Sequence, residues 1–284
     1  MEFFVSVELT PQIQWQIELM IESFNALNMQ DKLLICFCSD SADDFIPDMV
    51  KNLGNHVNTM LIRNLGKTRG HTDLNKLYGI KTALEQKRLG KKFFVLEPDM
   101  VICSPPKIET NEISCHFQVD PTFVPEFINQ HTDLEKYFNI QPNAIESNQW
   151  SAAGSPICFV DFPVEFFDQM ILDAEDYVYK QFYYNEKVWN RSMQVIMNMT
   201  LYRYIGKYYN AYASFDYKSS LHSKNVNNFI HYEHGYQPLF HKNMFPYKPP
   251  HFLSLGNPFK TLAEYSPTPA FQFISNLSKQ YLKR

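Results

Sequence analysis

Glycine is scarce in this 284-residue chain, at 9 residues against 17 prolines. Collagen-like repeats and glycine-rich low-complexity segments are therefore excluded. No apolar run approaches the ~20 residues that a membrane-spanning helix needs. The five cysteines, Cys36, Cys38, Cys103, Cys115 and Cys158, contain no C-x-x-C pair. That spacing and the odd number argue against structural zinc and against a disulfide framework. The opening Met1 to Gln12 has neither a basic start nor a long apolar stretch. No secretory signal is expected there, and reduced thiols in a cytoplasm fit best. Neither a G-x-G-x-x-G nor a G-x-S-x-G motif occurs, so dinucleotide oxidoreductase and serine-hydrolase chemistry lose their usual support. Gly66-Lys67-Thr68 lacks the upstream glycine of a phosphate loop and is not read as one.

What is present is ordinary globular material, 45% hydrophobic and 20% charged. A chain of this size buries roughly three quarters of its unfolded surface. The net charge of -4 hides an asymmetry. From Arg203 onward there are ten Lys/Arg and three acids, a balance of +7; the first 202 residues hold 16 and 27, a balance of -11. The basic third is also rich in Tyr, Phe and His. It reads either as a solvated face or as a surface for a polyanion, whether nucleotide diphosphate or nucleic acid.

Hydrophobic patterning predicts strands at Phe3–Val7, Leu33–Cys38, Thr59–Ile62 and Lys92–Leu96. A helix is predicted between the first two, with Thr10 as N-cap, Pro11 at its first position and Ile13, Ile17, Met20, Ile21, Phe24 and Leu27 at helical spacing. Leu74 to Lys87 reads as another helix. Further strands are expected at 114–117, 156–160 and 228–232, and further helices at about 163–183 and 186–205. From Tyr208 the chain reads as aromatic and loop-like apart from the strand at 228–232. Strands alternating with helices argue a parallel α/β arrangement, in which ligands bind beyond the carboxyl ends of the strands. Thr10, Asp40 and the Glu97/Asp99 pair all fall at such ends.

The sharpest local signal is Phe93-Phe94-Val95-Leu96-Glu97-Pro98-Asp99. Two carboxylates one residue apart, where a buried strand meets solvent, are hard ligands suited to Mg²⁺ or Mn²⁺. Asp and Pro serve equally well as an ordinary turn after a strand. His231 ends another apolar run and can complete such a site as a neutral imidazole, or be structural. Asn75-Lys76, early in a helix, and Arg69 just before it can pair with a phosphate or be surface residues. Trp150 to Pro156 is rich in small residues that let a ligand approach the backbone, or form a plain loop.

The order of these pieces resembles GT-A glycosyltransferases, in particular the plant-type hydroxyproline O-arabinosyltransferases and peptidyl serine galactosyltransferases. The matching stretches are Phe4 to Thr10 with Trp15-Gln16, Leu74-Asn75-Lys76, Phe94 to Ile102, Gly154 to Ile157, and Phe229 to Tyr232 with Gly235, across roughly residues 3 to 248. Glu97-Pro98-Asp99 looks like that family's form of the metal-binding D-x-D motif. The resemblance implies a GT-A-type, Rossmann-like mixed sheet flanked by helices. It implies a single domain over residues 1–248, with a nucleotide-sugar half to residue 100 and an acceptor half from 101, then an extension over 249–284. It also implies a UDP-sugar donor, Mn²⁺ or Mg²⁺, and transfer to a hydroxyl with retained configuration, arabinose being the first choice of sugar. On that reading Glu97, Asp99 and His231 hold the metal. Lys76, Asn75 and Arg69 face the phosphates, and Thr10 and Asp40 the base and ribose. Gln149 and Ser151 line the sugar, and Glu186 and Trp189 the acceptor side.

Two acceptor classes stay open. One is protein or glycan, as in the resembled families. The other is DNA carrying hydroxymethylated cytosine, which a phage presents in a bacterial cytoplasm. The missing export signal and the basic aromatic third, with Lys242 and Lys248, favour DNA. A nucleotide-sugar-binding protein without turnover is the non-enzymatic alternative.

Overall fold

The computed structural model of the chain describes residues 1–8, 11–40, 57–68, 74–118, 154–184, 200, 218–232, 258–264 and 266–283. These fall into two compact units, each built from separated stretches of sequence: residues 64–95 with 110–215, and residues 2–63 with 96–109 and 216–284.

The second of these units begins with β1 (Glu2–Glu8), α1 (Pro11–Ala26), β2 (Leu33–Ser39) and β3 (Asn58–Arg63). The three strands are parallel in the order β3-β2-β1. Leu33 to Cys38 in β2 are all buried. A parallel strand covered on both faces has no solvent side to require alternation, which is why its sequence is a continuous apolar run. β3 has the weak pattern of a strand with one open side; only Met60 is buried. α1 buries two faces. Ile17, Met20, Ile21 and Phe24 recur at helical spacing, and Phe24 meets Phe3 of β1 edge-on at 5.1 Å. Trp15 and Leu19 belong to a separate cluster.

The other unit contains the single-turn helix α2 (Leu65–Thr68) and the helix α3 (Leu74–Glu85). It also contains β4 (Lys92–Leu96) up to Val95, and then, past β5 (Met100–Ile102), β6 (Ser114–Gln118), β7 (Gly154–Val160) and α4 (Val164–Tyr184). Here the ladder is antiparallel, in the order β4-β7-β6. Phe93, Phe159, Phe162, Phe166 and Phe167 pack ring to ring at centroid distances of 4.4 to 6.3 Å. Each such buried ring contributes about 2–3 kcal/mol from apolar transfer. α3 and α4 are joined by the Lys81–Asp168 ion pair and by the Tyr78 hydroxyl donating to Glu175.

The remaining elements return to the unit of the parallel strands. β5 pairs antiparallel with β9 (Phe229–His231), which pairs in parallel with β8 (Lys218–Ser220). Two helices close the chain, α5 (Pro258–Glu264) and α6 (Pro269–Tyr281). The architecture is mixed α/β, with a parallel set and an antiparallel set of three strands each. Parallel pairing, argued from the strand–helix alternation of the first hundred residues, holds for β1, β2 and β3, while β4, β7 and β6 are antiparallel, so both directions occur as a mixed sheet requires. One expectation is corrected. The stretch after Tyr208 is not loop-like at its end. Thr268 caps α6 by accepting from the Phe271 N–H, with Pro269 in the first turn. Ala270, Phe271, Ile274 and Leu277 then bury one face. The expected helix over 186–205 lies outside the described residues, except for Thr200.

Candidate functional site

β4 ends at Leu96, and Glu97-Pro98-Asp99 turns the chain into β5. The turn is closed by the Met100 N–H donating to the Glu97 carbonyl at 3.2 Å. β5 then pairs with β9 in a register that sets Met100 opposite His231. The Tyr232 N–H extends this ladder by donating to the Asp99 carbonyl at 3.1 Å. The side chains that follow from this register meet: His231 Nε2 lies 3.0 Å from Asp99 Oδ1, across 132 positions of sequence. Both side chains are largely shielded, at 6% exposure for Asp99 and 11% for His231. An ionised carboxylate only accepts, so the imidazole donates in this contact. Glu97 is half-buried in the same turn.

The donor set is one oxygen and one nitrogen; the carboxylate is a ligand that Mn²⁺ or Mg²⁺ takes, while the imidazole nitrogen is one that oxygen-bound Mg²⁺ does not favour. Two adjacent ligands at about 2.1 Å from an octahedral ion stand about 3.0 Å apart, and the Asp99–His231 separation has that value. A divalent cation bound by both would take the place of the hydrogen that the imidazole donates. Among the described residues, no three His, Cys, Asp or Glu side chains gather closely enough to hold a metal. Substrate oxygens would have to supply the other positions.

Tyr232 was not singled out by sequence and belongs to this corner. Burial pushes its phenol well above the usual range, and the Asp99 charge adds to the shift. The hydroxyl stays protonated, and its ring lies 5.8 Å from that of Trp15.

Asn75, expected at the donor, is used inside the protein. Its carbonyl oxygen accepts from the Gly66 N–H at 2.8 Å, and its amide donates to Asn64 Oδ1 at 2.6 Å. Asn64 and Asn75 are 4% and 3% exposed. The carboxamide thus pins Asn64 and Gly66 of α2 to the first turn of α3. Lys76, next in sequence, is half-buried. Asp40 is exposed, just after β2. Thr10, Arg69, Gln149, Ser151, Glu186, Trp189, Lys242 and Lys248 lie outside the described residues.

A second polar feature sits near the end of β2. Cys38 Sγ lies 3.3 Å from Ser6 Oγ. Its thiol is held below the usual value, chiefly by a hydrogen bond from Cys36. Burial raises Cys103 and Cys158 to about 12 instead. All five cysteines are reduced.

No described helix is long and apolar enough to cross a membrane. Set against known proteins, the chain matches no family model and no curated sequence.

Proposed function

We propose that the chain is a metal-dependent glycosyltransferase that moves a sugar from a UDP-sugar to a hydroxyl with retained configuration. The observation that supports this best is the meeting of Asp99 with His231 beside a strand-end Glu-x-Asp turn. Two residues remote in sequence and joined by strand register make a carboxylate–imidazole pair of the right spacing for a divalent ion. Asp99 and His231 are the pair that would hold it, and Glu97 stands in the same turn. A divalent cation there supplies positive charge against the diphosphate leaving group.

The chain's own part is positioning. Lys76 and Arg69 bring cationic charge to the phosphates, and Asp40 and Thr10 face the nucleoside. Gln149 and Ser151 orient the sugar, while Glu186 and Trp189 place the acceptor hydroxyl. No strong protein base is needed when the departing phosphate oxygen takes the acceptor proton. Preorganised charge at the leaving group is then the largest catalytic contribution.

The acceptor we infer is 5-hydroxymethylcytosine in DNA, in a cytoplasm, with arabinose as the first sugar to try. The +7 balance after Arg203 supports it, and Lys242 and Lys248 are assigned to the DNA backbone. The test is mass spectrometry after incubation with a panel of UDP-sugars and Mn²⁺, against hydroxymethylated DNA, hydroxyproline peptide and glycan acceptors. Mass gain on the modified DNA, lost in EDTA, is expected. Gain on peptide or glycan alone overturns the acceptor. UDP release in no condition overturns the enzyme and leaves a binding protein.

A further inference from the structure

The Asp99–His231 pair is carried by two strands of three residues each, β5 and β9. Strands so short do not hold a side-chain geometry unaided. Their inward residues Val101 and Ile230 belong to one buried cluster with Trp15 of α1 and Phe271, Ile274 and Leu277 of α6. Tyr232 and Ile230, both members, flank His231 in sequence. Tyr232 holds the Asp99 carbonyl through its backbone, and its ring, 1% exposed, sits against Trp15. The closing helices are anchored in turn. Tyr281 donates to Glu18 Oε2 of α1 at 2.8 Å and stacks on Phe259 of α5 at 3.9 Å. Thr268, the cap of α6, donates to the Leu221 carbonyl in the β8–β9 connection. Ser23 Oγ, also of α1, accepts from the Ile102 N–H at 3.1 Å.

We propose that Tyr232 is the positioning residue of the Asp99–His231 pair, and that it acts by transmitting the packing of α1 and α6 into the geometry of that pair. The C-terminal helices are then part of the cation site's support rather than an extension to it. This rests on the metal reading above. The physical reason is that two ligands gain affinity from being held at a fixed separation, and the cluster is the packing behind β5 and β9. Residues behind metal ligands typically change affinity by about 10- to 100-fold when removed.

The experiment is Mn²⁺ titration of the full chain followed by electron paramagnetic resonance, with thermal melts alongside. Tyr232→Leu should weaken Mn²⁺ binding by about tenfold or more, while Tyr232→Phe, which keeps the ring, retains wild-type affinity. Phe271→Leu trims the cluster from α6 without touching β9 and should weaken binding in the same direction by less; it also decides the matter if Tyr232→Leu fails to fold. If both leucine variants melt lower yet bind Mn²⁺ as the wild type does, the cluster is packing only and the proposal is overturned. If the wild type binds no Mn²⁺, or Asp99→Asn binds it equally well, the metal reading itself falls and this inference falls with it.

Discussion

Two buried polar contacts, Asp99–His231 and Asn64–Asn75, are held in different ways. The first joins two ionisable groups by a single 3.0 Å contact. The second is an uncharged chain of amides in which one carboxamide serves two partners at 2.8 and 2.6 Å. Amides satisfied on both ends define a shape, because their burial is offset only while every partner is in place. A carboxylate beside an imidazole brings ionisable groups together instead, the kind of pair that a cation can use. The difference separates a brace from a pair of charge-bearing groups, although both sit at turns that follow strands.

The largest expected effect comes from breaking the ionisable pair. Asp99→Asn should lower sugar transfer by about 10²- to 10³-fold, the scale of removing one preorganised electrostatic contact at a leaving group. Its melting temperature should stay close to that of the wild type. Steady-state kinetics beside calorimetry checks both; an unfolded variant whose folded fraction keeps full specific activity would make Asp99 structural. Asn75→Ala should do the reverse. It removes the acceptor of the Gly66 N–H and the Asn75 donor to Asn64 Oδ1, and a buried polar group left unpaired costs about 1–3 kcal/mol. Urea unfolding should show that loss, while Mn²⁺ affinity stays unchanged.

Nucleic-acid binding tests the basic C-terminal third. Lys242→Glu with Lys248→Glu should reduce the salt slope of DNA affinity by about 2, from roughly 0.9 per phosphate contact. UDP-sugar hydrolysis should be nearly intact in that variant. Filter binding across a salt series measures the slope. A joint loss of both activities would move Lys248 to the donor diphosphate.

The smallest effect sharpens the comparison with a third polar contact, Ser114 Oγ with His116 Nε2 at 3.0 Å. Burial, and secondarily the Lys92 charge, hold His116 below its usual value of 6.5. The folded protein therefore binds this proton more weakly than the unfolded chain does. The stability this contact contributes is complete above pH 6.5 and declines as the pH falls from there toward the folded value. Chemical denaturation at a series of pH values should show a decline that His116→Gln flattens.

Much of the first hundred residues was legible because burial there leaves plain marks. Leu33 to Cys38 is apolar throughout since both faces of β2 are covered, and the 3.6-residue spacing of Ile17, Met20, Ile21 and Phe24 marks the inward face of α1. The start of α6 was equally marked, by Thr268-Pro269 and the spacing of Phe271, Ile274 and Leu277, but the aromatic composition of the sequence before it masked the signal. The antiparallel pairing of β4, β7 and β6 left no local mark, because a strand's own residues do not state the direction of its neighbour.

By itself the sequence determined that Glu97, Asp99 and His231 stand at the ends of apolar runs, where a chain must leave its core and polar groups can meet a ligand. Only the tertiary structure decided that Asp99 and His231 touch, since that depends on the register of Met100 against His231 across a long separation in the chain. It alone also decided that Asn75 serves Gly66 and Asn64, and that Tyr232 stands behind the pair against Trp15. A side chain's chemistry is local and can be read from its letter; which groups compete for its hydrogen bonds is set by packing, and packing is a property of the whole fold.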